Sequence, residues 1–97
     1  MKFLPVNIYP KFQVDNEIVN VSKGDKDVIV WLNHHPYDLT IQFTNGPFRV
    51  QEFCVPREGV AISGPLADDA VLDRIYMYEI KNVAMDMTGD PGIKIQP

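Results

Sequence analysis

Cysteine occurs once, as Cys54, so no disulfide can close within the chain. A domain that holds together without such a staple fits a reducing compartment, and a cytoplasmic location is the expectation. Basic runs are missing too. The nine Lys and Arg are scattered and the formal net charge is −4, which argues against nucleic acid and against an anionic membrane as partners. No apolar run approaches the roughly 18 residues of a membrane span. The opening residues 1–12 are broken by Pro5 and Asn7, too early for the apolar stretch of a secretory leader. There is no glycine-rich phosphate cradle, no serine-centred elbow and no paired-carboxylate motif. The sequence therefore names no reaction; a non-enzymatic protein with no cofactor is expected.

What is present is an apolar fraction of 45% in 97 residues, enough for one core and one domain over 1–97. Residues 17–43 organise it. Val19 and Val21 alternate with Asn20 and Ser22, as in a half-buried strand. Lys23-Gly24-Asp25 supplies a turn. Val28, Val30 and Leu32 then share one face and Ile29 and Trp31 the other. A strand apolar on both faces is expected in the middle of a sheet, covered on each side. The His34-His35-Pro36 segment interrupts the pattern, and Leu39, Ile41 and Phe43 resume it.

Before that stretch, Leu4, Val6 and Ile8 mark a first strand, and Pro5 and Pro10 place it at an edge or keep it short. Asp15-Asn16 reads as the turn of a hairpin over 12–21. After it, 48–71 is the least patterned part. Phe48, Val50 and 53–55 suggest short strands or a packed loop, and 60–62 one brief strand. Ser63-Gly64-Pro65 opens either one helical turn over 66–71 or a loop. Residues 72–80 alternate again, with Leu72, Arg74, Tyr76, Tyr78 and Ile80 on one face. Ile93 and Ile95 begin a last strand. Short strands with Gly and Pro turns at this spacing predict an all-β sandwich or barrel.

The run Val19-x-Val21-x-x-Gly24-Asp25-x-x-Val28-x-Val30-x-Leu32-Asn33, then Leu39-Thr40-Ile41-x-Phe43, resembles the first half of a cupredoxin. Tyr76-x-Tyr78-x-Ile80 is similar to its penultimate strand, and Asp90-Pro91 with Ile93 and Ile95 to its closing one. The resemblance implies an all-β, Greek-key β-sandwich of cupredoxin-like topology. It also implies where copper ligands would stand. Leu39 holds the place of a histidine and Ile80 that of the cysteine, and no histidine follows Ile80. Met85 and Met87 lie near the place of the axial methionine, without a Cys or His beside them. The scaffold is expected without its copper site.

Each remaining chemical candidate has a plain reading. His34 and His35 are neighbours and offer at most two donors where metal sites use three or four, so they read as two solvated loop histidines. Cys54, between Phe53 and Val55, reads as a buried or half-buried small residue. Asp68, Asp69 and Asp73 lack the spacing of a calcium loop and read as a solvated acidic face. Trp31, Tyr76 and Tyr78 read as packing between sheets. The functional expectation is a binding or protein-interaction module for an unidentified protein or small molecule. Its recognition loops would be His34, His35, Pro36, Tyr37 and Asp38, together with 82–92. A homodimer through sheet edges is allowed for. The alternative is a divergent metal-binding or electron-transfer protein using His34 and His35.

Overall fold

The computed structural model describes residues 1–9, 13–82 and 91–97. Nine strands occur among them: β1 (Phe3–Tyr9), β2 (Gln13–Val14), β3 (Ile18–Ser22), β4 (Val28–Asn33), β5 (Leu39–Phe43), β6 (Glu52–Val55), β7 (Val60–Ile62), β8 (Ile75–Lys81) and β9 (Gly92–Gln96). They form two sheets packed face to face. One has the order β2-β1-β4-β7, the other β3-β9-β8-β5-β6. β1 runs parallel to β4 and β3 parallel to β9; the other pairings are antiparallel. The expected all-β sandwich is what the chain forms.

Alternation decides which side chains meet between the sheets. From the first sheet come Val6, Ile8, Ile29 and Trp31, and from the second Val21, Ile41, Phe43, Phe53, Tyr78, Ile80 and Ile95. The centre is aromatic. Trp31 lies with its ring centroid 5.1 Å from Phe53, 5.8 Å from Tyr78, 6.3 Å from Phe43 and 6.4 Å from Phe48. Tilted and edge-on rings of this kind fit the aromatic quadrupole. The packing role expected of Trp31, Tyr76 and Tyr78 is thus the observed one. Gly46 closes the turn under this cluster, where a Cβ would overlap the Phe43 ring. At the other end of the ladder Asp27 is buried. Its two carboxylate oxygens accept from the amides of Lys2 (2.9 Å) and Ser22 (3.2 Å), tying the start of β1 to the β3–β4 turn.

Several local expectations give way to tertiary structure. The hairpin over 12–21 does not form, and residues 10–12 lie outside the described residues. β2 pairs back onto β1, whereas β3 joins β9 in the opposite sheet, so Asp15–Asn16 is a crossing between sheets and not a hairpin turn. The Asp15 side chain explains this, since it accepts from the Asn7 backbone and side chain and holds the crossing against β1. The helical turn over 66–71 is absent; Leu66 instead bridges to Phe48, covering the aromatic cluster. β8 begins at Ile75, so Leu72 and Arg74 do not join its inward face; both are exposed, behind a left-handed Asp73 (φ 64°). β1 is not an edge strand, yet Pro5 fits it: β2 pairs only Ile8 and Tyr9, leaving the rest of that flank without a strand partner.

Among the described residues, the buried Trp31 indole nitrogen and Tyr78 hydroxyl find no hydrogen-bond partner. Burial pushes the Tyr78 phenol up to about 12; the nearby indole N–H of Trp31 opposes this as a dipole, short of a formed hydrogen bond, and the Asp15 carboxylate adds to it. The folded state therefore keeps a proton that the unfolded chain gives up above its ordinary value near 10. The associated stability is complete below pH 10 and falls by about 3 kcal/mol as pH rises to 12. Urea midpoints measured across this range should show that loss, and Tyr78→Phe should flatten it while costing little at neutral pH. An unchanged alkaline slope in the variant would contradict the assignment.

Candidate functional site

The segment 34–38 follows β4 at one pole of the sandwich, and Asn33 builds it. As the last inward residue of β4, Asn33 is buried beside Ile8 of β1. Its Nδ2 donates to the carbonyls of Tyr37 (2.9 Å), Val55 (3.2 Å) and Pro56 (3.1 Å), and its Oδ1 accepts from the His35 amide (2.8 Å). One side chain thus substitutes for the sheet ladder where β4 ends and the chain turns to β5. Asp38 fastens the far side of the loop by accepting from the Arg57 amide (2.9 Å).

The two histidines separate. His35 is 1% exposed, which corrects the expectation of a solvated pair. Its Nε2 lies 2.7 Å from the Tyr9 carbonyl oxygen, which only accepts, so Nε2 carries the proton and donates. Nδ1 lies 2.9 Å from the Tyr37 hydroxyl. Both ring nitrogens are therefore engaged inside the protein. His34 is exposed, stacked on the Tyr9 ring at 4.9 Å and 9°. Its Nε2 meets Asn7 Oδ1 at 2.8 Å. Asn7 in turn donates its Nδ2 to Asp15 Oδ2 at 2.9 Å, which fixes the amide orientation and makes His34 Nε2 the donor. Partial burial by itself would raise the Asp15 carboxyl, but hydrogen bonds from Asn7 and from the Asp15 and Asn16 amides outweigh it and hold the group below its usual range. This is a rigid polar knot in which Asp15, Asn7, His34 and Tyr9 brace the loop from outside and Asn33, His35 and Tyr37 from inside.

Cys54 is exposed, correcting the expectation of a buried or half-buried thiol. Strand period explains it: Phe53 and Val55 both face the core, so the residue between them faces water. Asp68, Asp69 and Asp73 are solvent-exposed as expected, Asp68 lying 3.7 Å from Arg49. Among the described residues no group of three or more His, Cys, Asp and Glu stands close enough to hold a metal ion. Met85 and Met87, and most of the 82–92 recognition loop, lie outside the described residues.

One surface was not read from sequence. The outward positions of β1, β4 and β7 are Phe3, Pro5, Asn7 and Tyr9; Val28, Val30 and Leu32; and Val60 and Ile62. Register aligns them in rows: Phe3 beside Val28, then Pro5, Val30 and Ile62, then Asn7, Leu32 and Val60. Phe3, Val60 and Ile62 are 57%, 53% and 52% exposed. No outward position of these three strands carries a charge. The second face of β4, expected to be covered, is covered only in part: Val28 is buried, and Val30 and Leu32 are partly exposed. The stacked Tyr9 and His34 form its upper rim.

The strand order and the crossing between sheets can be set beside known folds. The solved structure of a methionine-to-alanine mutant of amicyanin, Cu(I), superposes with a TM-score of 0.68 over 96% of this chain and 81% of that one, at 11% sequence identity. This chain has the cupredoxin fold. No protein-family model matches the sequence. No curated protein matches it either. In this cupredoxin fold the positions that the resemblance assigns to copper ligands are hydrocarbon. Leu39, on β5, is 1% exposed; Ile80, on the paired strand β8 opposite Ile41, is fully buried; both lie inside the core cluster. Neither can donate a lone pair, and the chain's only thiol, on β6, faces solvent. The residues present do not fit a blue-copper centre, which needs one thiolate and two imidazoles.

Proposed function

We propose that this chain is a non-enzymatic binding module on a cupredoxin scaffold, and that it recognises a partner protein through the outward face of β1, β4 and β7. The observation that carries this reading is the uncharged apolar face itself. Contiguous apolar area on a sheet surface has a cost in water and marks a place where another surface belongs. The polar knot at its rim gives the recognition loop a role: Tyr9 and His34 border the face and are held rigidly, so little is lost in ordering them on contact. The exposed thiol of Cys54 fits a reducing, cytoplasmic setting.

The test is binding of the apolar dye anilinonaphthalene sulfonate at low micromolar protein, with near-UV circular dichroism to confirm native packing. Dye fluorescence should rise with the wild-type protein and fall at least severalfold in the Val60→Lys/Ile62→Lys variant. Fluorescence equal in both would remove the face from consideration.

The metal-binding alternative meets a geometric obstacle. His35 points inward with both ring nitrogens hydrogen-bonded, and His34 points outward with Nε2 donated to Asn7. Titration of the reduced protein with copper(II) should therefore give no intense blue thiolate band. Such a band, lost in Cys54→Ser, would restore the electron-transfer reading.

A further inference from the structure

We propose that the partner on this face is a second copy of the chain, packed sheet on sheet about a two-fold axis as a weak dimer. This rests on the reading of the face as a recognition surface. A two-fold interface sets a patch against itself, so the patch must be self-complementary. Charge decides which surface of this molecule qualifies. The chain carries a net −4. The outward face of the other sheet carries Glu52, Glu79, Lys81 and Lys94, and turning it on itself buries ionised groups. The outward positions of β1, β4 and β7 carry none, so two copies meet there with no like-charge contact and no stranded ion. A different protein would be selected by hydrogen bonds or opposite charge. Apart from the rim the face supplies neither, and a flat apolar sheet is best matched by another flat apolar sheet. Face-to-face sheets pack about 10 Å apart with strands within about 30° of alignment, and β-branched and proline side chains such as Val30, Val60, Ile62 and Pro5 suit that spacing.

The face, and not the sheet edge, is the surface assigned. The edges of this sheet are β2 and β7, two and three residues long, too short for a useful intermolecular ladder. Size sets the strength. At ordinary strand spacing and rise the three strands span roughly 14 by 20 Å. Two such faces bury on the order of 600 Å² in plan before their rims contribute, less than the roughly 1,000 Å² of a stable interface. The dimer is therefore weak and concentration-dependent, and is not needed for the fold.

Sedimentation velocity of the full chain from about 10 µM to about 1 mM should show the mean mass rising from one chain toward two. Val60→Lys/Ile62→Lys should weaken association at least tenfold while leaving the urea midpoint in place. Should the lysines disturb β7, Val60→Thr/Ile62→Thr keeps its β-branched character and serves instead. Sodium sulfate should tighten the wild-type dimer, as it does apolar contacts. Concentration-dependent NMR shifts should fall on Phe3, Val30 and Leu32. A wild-type protein that stays monomeric at 1 mM overturns the proposal, as does a dimer that survives the double substitution. If the monomer persists while the dye response still depends on Val60 and Ile62, the recognition face stands and only its occupant is wrong. If the dye response is also insensitive, both readings fall.

Discussion

Trp31→Ala is expected to cost about 3–5 kcal/mol, as large-to-small changes at well-packed core sites do. Trp31 has no exposed surface and touches the rings of Phe43, Phe48, Phe53 and Tyr78, so it fills the space where β4 of one sheet faces β5, β6 and β8 of the other. The surrounding rings are anchored on separate strands and on the Phe48 loop, and they cannot collapse together into the vacated volume. Set against a typical total of about 5–15 kcal/mol, the loss takes a large part of the stability. Urea unfolding should show a lower midpoint with little change in slope. Trp31→Phe should cost less than half as much, because it keeps one ring and deletes an indole N–H that is buried without a partner. A Trp31→Ala loss below about 1 kcal/mol would mean that the sheets are packed differently.

Asn33→Ala is expected to cost about 2–4 kcal/mol, since two N–H donors shared among three carbonyls and one acceptor are lost, at roughly 0.5–1.5 kcal/mol per hydrogen bond, and the His35 amide is left buried without its partner. The informative comparison is Asn33→Asp. It preserves shape and the acceptor toward the His35 amide, but it points a carboxylate oxygen at the carbonyls of Tyr37, Val55 and Pro56. At neutral pH it should be worse than alanine, and it should recover in part as pH falls and the introduced carboxyl takes up a proton. Loss of the slowly exchanging His35 Nε2 proton in NMR spectra would report release of the loop from the Tyr9 carbonyl. If aspartate were tolerated better than alanine, the three-carbonyl arrangement would be wrong.

Both sites show what was legible. Trp31 could be assigned to packing between sheets because an indole inside an alternating strand has few other places to go. Asn33 left no mark in the sequence: one asparagine after an apolar run reads as a strand end, and its partners lie 2, 4, 22 and 23 residues away. His35 was misread for the same reason. Adjacent histidines before a proline look solvated, and only the return of β1 brings the Tyr9 carbonyl to bury one of them. Cys54 was misread despite a usable signal, because Phe53 and Val55 already claimed the inward positions of β6.

What the sequence determined by itself was the strongly alternating strands, β1, β3, β4, β5 and β8 from Ile75 onward, since period-two patterning and turn residues are local properties. It also determined which ligand types are missing, because Leu39 and Ile80 have no lone pairs in any fold. Tertiary structure decided what covers what. The two-sided apolar pattern of β4 required a neighbour on each face, and pattern alone cannot say whether that neighbour belongs to the same chain. The strand order places β1 and β7 beside β4 and, among the described residues, no strand above it, leaving Phe3, Val60 and Ile62 exposed and Val30 and Leu32 partly so. Pairing between strands far apart in sequence depends on the summed burial of the whole sandwich, and that is why the surface this protein is proposed to use became visible only in the fold.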